Sequence, residues 1–161
     1  MPMNDDNNSH PKSPKRFFKL GIYFLVAYVL LVGVLGWWWD KEPEQFDVLE
    51  RASANAASTD RQMTTGYISA STFITIAETL VDKRGGYLSN DIFPPGVLMD
   101  NIPEWEFGSL TVLRDTARVF RNDFSRSQSQ SAENPILAEA EGRFFFDNNS
   151  WLFPQSESEY Q

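Results

Sequence analysis

The hydrophobic pattern is dominated by one stretch with no polar alternation. Leu20–Trp39, LGIYFLVAYVLLVGVLGWWW, runs for 20 residues without a charged side chain. As a helix it spans about 30 Å, the thickness of a bilayer's hydrocarbon core. A core helix of a soluble protein would show a polar face somewhere, and this one has none. A cleaved signal peptide has an apolar core of about 7–15 residues with a small-residue cleavage site close behind. Here Trp37, Trp38, Trp39 and Asp40 follow, and the nearest Ala-x-Ala pattern, Ala52–Ala54, lies well downstream. The pattern predicts an uncleaved transmembrane helix at 20–39. Gly33 and Gly36 are three apart, so they form no GxxxG dimer face and read as ordinary membrane-helix composition.

Beyond Trp39 the periodicity changes. Asp40–Glu50 is acidic and broken by Pro43, with Phe46, Val48 and Leu49 on one side of a short helix, and Arg51–Thr65 is small and polar, a weak helix or a linker. Phe73, Ile76, Ala77 and Leu80, widened by Ile74 and Val81, recur at helical spacing. Ser69 or Ser71 can cap that helix and Gly85–Gly86 can stop it. Tyr87–Pro103 carries Pro94–Pro95–Gly96 and reads as an extended, ordered connection whose apolar residues pack against something. A second strong helix is predicted from Pro103 to Phe124, with Leu110, Leu113, Ala117, Phe120 and Phe124 on its apolar face. Ser125–Ser131 is turn-like, and Asn134–Pro135 opens a short helix to about Glu141. Phe144–Phe146 and Trp151–Phe153 flank Asp147–Ser150 as a hairpin or as loop aromatics plugging a helical core. Ser156-x-x-Glu159 has the form of a capping box with little helix after it, which reads either as a fragment or truncated product or as a frayed polar tail, and the domain is expected to be incomplete. The fold class is therefore mainly α. A tail at 1–19 precedes the membrane helix at 20–39, a juxtamembrane segment and linker at 40–65, and a helical domain at 66–161.

Charge orients this arrangement. Residues 1–19 carry a net charge of +2 and residues 40–161 a net of −10. Lys12, Lys15, Arg16 and Lys19 crowd one end of the apolar run, so the N-terminus is expected in the cytoplasm and the acidic part outside. Lys15, Arg16 and Lys19 at one end, and Trp37, Trp38 and Trp39 at the other, are the expected membrane-interface anchors. The partner of Leu20–Trp39 is the lipid bilayer. An acidic domain repels phosphate, which argues against nucleic acid.

Candidate chemistry is sparse. The chain has no cysteine, and its single histidine, His10, lies in the polar tail, so His- or Cys-based catalysis and metal ligation have no material. No phosphate loop, Ser-x-x-Lys pair or GxSxG elbow occurs in the acidic part. Asp147–Asn148–Asn149 lacks the glycine and distal glutamate of a calcium loop. No cofactor, metal or catalytic residue is assigned. Carboxylates remain: Asp91, Asp100, Glu104 and Glu106 are the candidates for a hydrolase using paired acids. Arg114, Arg118 and Arg121 form a basic stripe at i, i+4, i+7, a candidate surface for an anionic partner. The competing and favoured reading is a solvated face paired with carboxylates such as Asp115 or Glu78.

The strings AETLVDKRGGYLSNDIFPPGVLMDN, PEWEFGSLTVLRD, DFSRSQSQS and FDNNSWLFPQSESEY resemble a bacterial single-pass inner-membrane protein family known only as a domain of unknown function, DUF2333. The resemblance covers residues 66–160 and extends to the tail-and-anchor organisation before them. It implies mostly helical proteins about twice this length, which supports truncation, and a Gram-negative inner membrane, which makes the far side the periplasm. It implies no activity, cofactor or catalytic residue. The expected role is a membrane-anchored envelope protein, non-catalytic, that meets an envelope protein partner. The alternative is a carboxylate-dependent hydrolase of cell-wall glycan.

Overall fold

The structure is a computed structural model that describes residues 14–124 and 134–161. The expectations for the tail before Pro14, for Ser125–Ser131 and for the Phe124 side chain lie outside the described residues. Helix α1, Pro14–Trp39, is long and apolar enough to cross a membrane. It begins six residues before the uncharged run, because nothing in Lys15–Lys19 breaks a helix and long basic side chains can reach outward from its first turns. Its residues from Lys15 to Leu31 are exposed, while Val32, Leu35, Gly36 and Trp39 on one face of the last two turns are partly covered.

Asp47 caps α2 (Val48–Ser58) by accepting from Glu50 N at 2.8 Å. The segment expected to be a weak helix or linker is thus a packed helix. Ala52 and Ala56, one turn apart, are buried, and Asn55 donates to Ser71 Oγ of α3 (Tyr67–Asp82) at 2.9 Å. Residues 48–58 therefore belong with the folded domain. Neither expected serine caps α3: Gly66 precedes it at φ +84°, and Ser71 lies buried inside it. The glycine stop holds, with Gly85 and Gly86 both in the left-handed region that L side chains avoid.

The connection after Gly86 holds one 3-10 turn, Gly96–Leu98, before α4 (Asn101–Val119), which widens into a π turn at Phe120–Phe124. Asn134 caps α5 (Pro135–Phe144), accepting from Ile136 N at 3.0 Å. The last element is α6, Ser156–Tyr160. Ser156 makes no capping box: it is fully buried, and its hydroxyl donates to Asp147 O and Ser150 O. After Phe144, which ends α5, residues 145–153 are looped, and among the described residues there is no strand. Phe144 enters the core, but Phe153 is 95% exposed and plugs nothing.

The core lies where α3, α4, α5 and α6 meet. Leu80, Leu110 and Leu113 are almost fully buried, each contributing about 2–3 kcal/mol from apolar burial. Phe144 packs edge-on against Phe73 at 5.2 Å and stacks on Tyr160 at 6.2 Å, while Tyr160 meets Tyr87 edge-on at 5.6 Å.

Candidate functional site

Glu106 lies one turn after Ile102 and one turn before Leu110, on the buried face of α4, and is 0% exposed. A carboxylate there must be answered completely. It accepts from Leu88 N at 2.8 and 3.1 Å, from Ser89 N at 2.7 Å and from Ser89 Oγ at 2.5 Å, and it pairs with Lys83 Nζ. The Lys83 side chain is itself only 4% exposed. Its ammonium also donates to Gly86 O and to Leu80 O, the latter at 3.3 Å. Burial lowers the Lys83 pKa, and the charges of Glu106, Asp91 and Glu157 pull it back up. The pair ties the end of α3, the 86–89 backbone and α4 to one point. Glu106 supplies no free lone pair for catalysis; it is a structural knot.

The other candidate carboxylates go elsewhere. Asp100 accepts from Asn101 N at 2.8 Å at the start of α4, and Glu104 is exposed in its first turn. Asp91 is half-buried and packed on Gly96 so closely that a β-carbon there would overlap its carboxylate. Burial raises the Asp91 pKa, with Glu157 and Glu106 adding to the rise and Lys83 opposing it. Glu157 is fastened by Asn90, whose amide donates to it at 3.0 Å and to Ser150 O at 2.8 Å. Sequence reasoning had not singled out Lys83, Asn90 or Glu157.

The arginine stripe is engaged within the chain. Arg114 donates to Phe144 O at 2.6 Å and Phe146 O at 2.9 Å, satisfying carbonyls at the C-terminus of α5. Arg118 and Arg121 reach Glu141 at 3.5 and 2.5 Å, and Arg118 also lies 4.0 Å from Asp115. The guanidinium of Arg118 sits 4.9 Å from the Phe145 ring centre. Hydrogen bonding from Arg121 is the main cause of a lowered Glu141 pKa. The stripe is thus a clamp holding α5 on α4, and Glu141, rather than Glu78, is its principal carboxylate.

At the α1 end, Lys15, Arg16 and Lys19 are exposed, as are Trp37 and Trp38. Lys41 covers the Trp37 ring at 4.4 Å. Trp39 differs: its ring lies against Gly85, where a β-carbon would sit 2.8 Å away. It is turned towards the domain and partly covered. Gly36 faces Pro95, whose Cβ would be 3.4 Å from a side chain added there. The two glycines thus have separate reasons for their size, a close approach at Gly36 and a left-handed turn beneath an indole at Gly85. Val32, Gly33, Gly36 and Trp37 share a cleft with Pro95, Leu98, Met99 and Asp100.

Among the described residues no group of three acidic or histidine side chains is placed to hold a metal. The family whose pattern matches residues 12–161 is described as "Uncharacterized protein conserved in bacteria (DUF2333)". No curated protein and no solved structure matches the chain.

Proposed function

Since the chain belongs to the bacterial DUF2333 family, we propose that it is a membrane-anchored protein of the cell envelope, a non-catalytic platform that meets an envelope protein partner. The N-terminal tail lies in the cytoplasm, α1 crosses the inner membrane and the acidic helical domain stands in the periplasm. One observation carries this reading: α1 ends inside the domain. Trp39 rests on Gly85 and Gly36 on Pro95, so removing α1 as a signal peptide would strip two covered positions from the fold. The basic side chains at the other end of α1 favour the cytoplasmic side for the N-terminus. The buried polar groups also support a structural role, since Glu106 and Lys83 neutralise each other.

Topology tests this directly. A reporter active only in the periplasm is expected to work after Gln161 and to fail before Phe17, and protein isolated from cells keeps residues 1–39. The reverse reporter pattern, or a new N-terminus close to Asn55, overturns the proposal. Crosslinking in native membranes then identifies the partner. The hydrolase reading has one observation in its favour: Asp91 is half-buried and its pKa is raised, chiefly by burial, with the charge of Glu157 adding to the rise. Loss of wall-glycan cleavage in Asp91→Asn, with the fold intact, would establish it; absence of cleavage by the wild-type chain removes it.

A further inference from the structure

The loop after Asp91 reads Ile92–Phe93–Pro94–Pro95–Gly96–Val97–Leu98, without one charged residue. Its apolar side chains point outward: Phe93 is 63% exposed, Leu98 73%, and Ile92 and Val97 about half. A soluble protein rarely leaves such residues contiguous and uncovered. A second tip adjoins the first, because Phe93 packs edge-on against Trp151 at 5.6 Å, and Leu152 and Phe153 beside it are also exposed.

The position of this surface identifies what covers it. Pro95 packs on Gly36, and Leu98 and Met99 share a cleft with Val32 and Gly33. Val32 precedes Trp39 by seven residues, a rise of about 10 Å along a helix. A 20-residue apolar span matches the hydrocarbon core with little to spare. If α1 crosses the bilayer, a loop lying beside Val32–Gly36 is therefore below the headgroup level of the outer leaflet.

The backbone of the loop suits that environment. Pro94 and Pro95 carry no N–H to satisfy. Val97 N donates to Phe93 O, Leu98 N to Pro95 O and Met99 N to Gly96 O, at 3.3, 2.9 and 2.9 Å. Non-helical backbone at membrane depth is tolerated only when its polar groups are answered internally, and the turn at 96–98 answers three of them. The Glu106 knot fixes the near end of the same loop at Leu88 and Ser89.

We infer that Ile92–Leu98, together with Leu152 and Phe153, forms a second membrane contact that inserts into the periplasmic leaflet beside α1. The occupant is the acyl and glycerol region of the bilayer, entered by apolar burial and independent of lipid charge. With a net −10 on residues 40–161, headgroup attraction cannot supply the binding. The inference rests on α1 being a membrane span.

The absence of cysteine makes the test clean. Single cysteines placed by Leu98→Cys, Phe153→Cys, Leu30→Cys and Ile136→Cys would be labelled with an environment-sensitive fluorophore in the full chain. Each protein is reconstituted in phosphatidylcholine vesicles with or without lipids carrying a spin-label quencher on the acyl chain. Leu30 reports on α1 itself. Ile136, 74% exposed on α5, is an apolar position away from the loop. The expected result is quenching at residues 98 and 153 several-fold above that at 136, unchanged when anionic lipid is added. Quenching at 30 with 98 and 153 no higher than 136 overturns the inference and leaves the anchor standing. A blue-shifted but unquenched label at 98 means protein covers the loop, which also overturns it. No quenching at 30 removes the anchor and the inference with it.

Discussion

Glu106 and Glu141 are both carboxylates met by cations from a neighbouring element, yet they sit in opposite regimes. Glu106 is wholly buried, and its partner Lys83 almost so. Glu141 keeps a tenth of its side chain exposed, while Arg118 and Arg121 are about half and a third exposed. Around Glu106 the backbone amides of Leu88 and Ser89 share in answering the charge, so the loop conformation and the ion pair form together. Around Glu141 the cations come from long flexible side chains bathed in water, where the attraction is screened and ordering them costs entropy. Opposite charges in contact therefore say little about importance until burial and the remaining hydrogen bonds are known. Removing one member of a buried pair leaves a charge with no answer, whereas removing one arginine of the clamp leaves Glu141 with the other.

The widest separation between the two regimes should appear at Glu106. Glu106→Ala is expected to lose about 3–5 kcal/mol of domain stability, because it strands the Lys83 ammonium and the 88–89 amides. Urea unfolding of the full chain in detergent, followed by near-ultraviolet dichroism of the packed aromatics, would read it. Lys83→Met combined with Glu106→Leu should recover a good part of that loss, since an apolar pair strands no charge. A double variant as unstable as the single would mean that the amides, and not the ion pair, set the energy.

This contrast was only half visible in the amino-acid order. Apolar spacing revealed α1, α3 and α4, because Leu, Ile and Phe at three- and four-residue intervals leave one reading. Helix α2 was obscured because its buried face consists of Ala52 and Ala56, too small to stand out from a polar linker. Glu106 was read as one of four candidate acids for a hydrolase, yet it falls in step with Ile102, Leu110 and Leu113. A carboxylate in register with an apolar stripe was the signal that it needed a buried cation. Which cation was illegible, since Lys83 lies 23 residues away across an irregular loop. The arginine stripe was legible as a pattern, and Asp115 as one of its carboxylates, but its contacts with Glu141 and two backbone carbonyls were not, because they belong to a segment whose placement no local rule predicts. The contact of Trp39 was illegible for a similar reason: its ring packs on Gly85, which sequence reasoning had used as a helix stop.

Within the clamp the arginines should separate from one another. Arg114 is half-buried and donates to two main-chain oxygens, so Arg114→Ala is expected to lose about 1–2 kcal/mol by leaving the end of α5 unsatisfied. Arg118 is more exposed and shares Glu141 with Arg121, so Arg118→Ala should change stability by no more than about 0.5 kcal/mol. Equal losses in the same urea titration would show that the clamp acts as one unit. That would place the stripe closer to the buried regime than its exposure indicates.

The smallest effect lies in the pH dependence, where Asp91 and Glu141 should pull in opposite directions. Hydrogen bonding from Arg121 lowers the Glu141 pKa below its ordinary 4.5. Its contribution is therefore complete above 4.5 and is lost as pH falls through the lower folded value. Burial raises the Asp91 pKa above its ordinary 3.8. Asp91 then opposes folding while charged, and that opposition is relieved as pH falls through the raised value and is gone below 3.8. Asp91→Asn should accordingly raise the urea midpoint slightly at pH 7, with the gain over wild type vanishing below about pH 4. Glu141→Gln should lower the midpoint at pH 7, and its deficit should vanish only at more acidic pH. Both differences can be read from unfolding midpoints taken at several pH values between neutrality and the acid limit of reversible unfolding. If Asp91→Asn is instead less stable at neutral pH, attraction to Lys83 outweighs burial. Asp91 would then be a working member of the knot at Glu106, and the buried regime would extend to the base of the apolar loop.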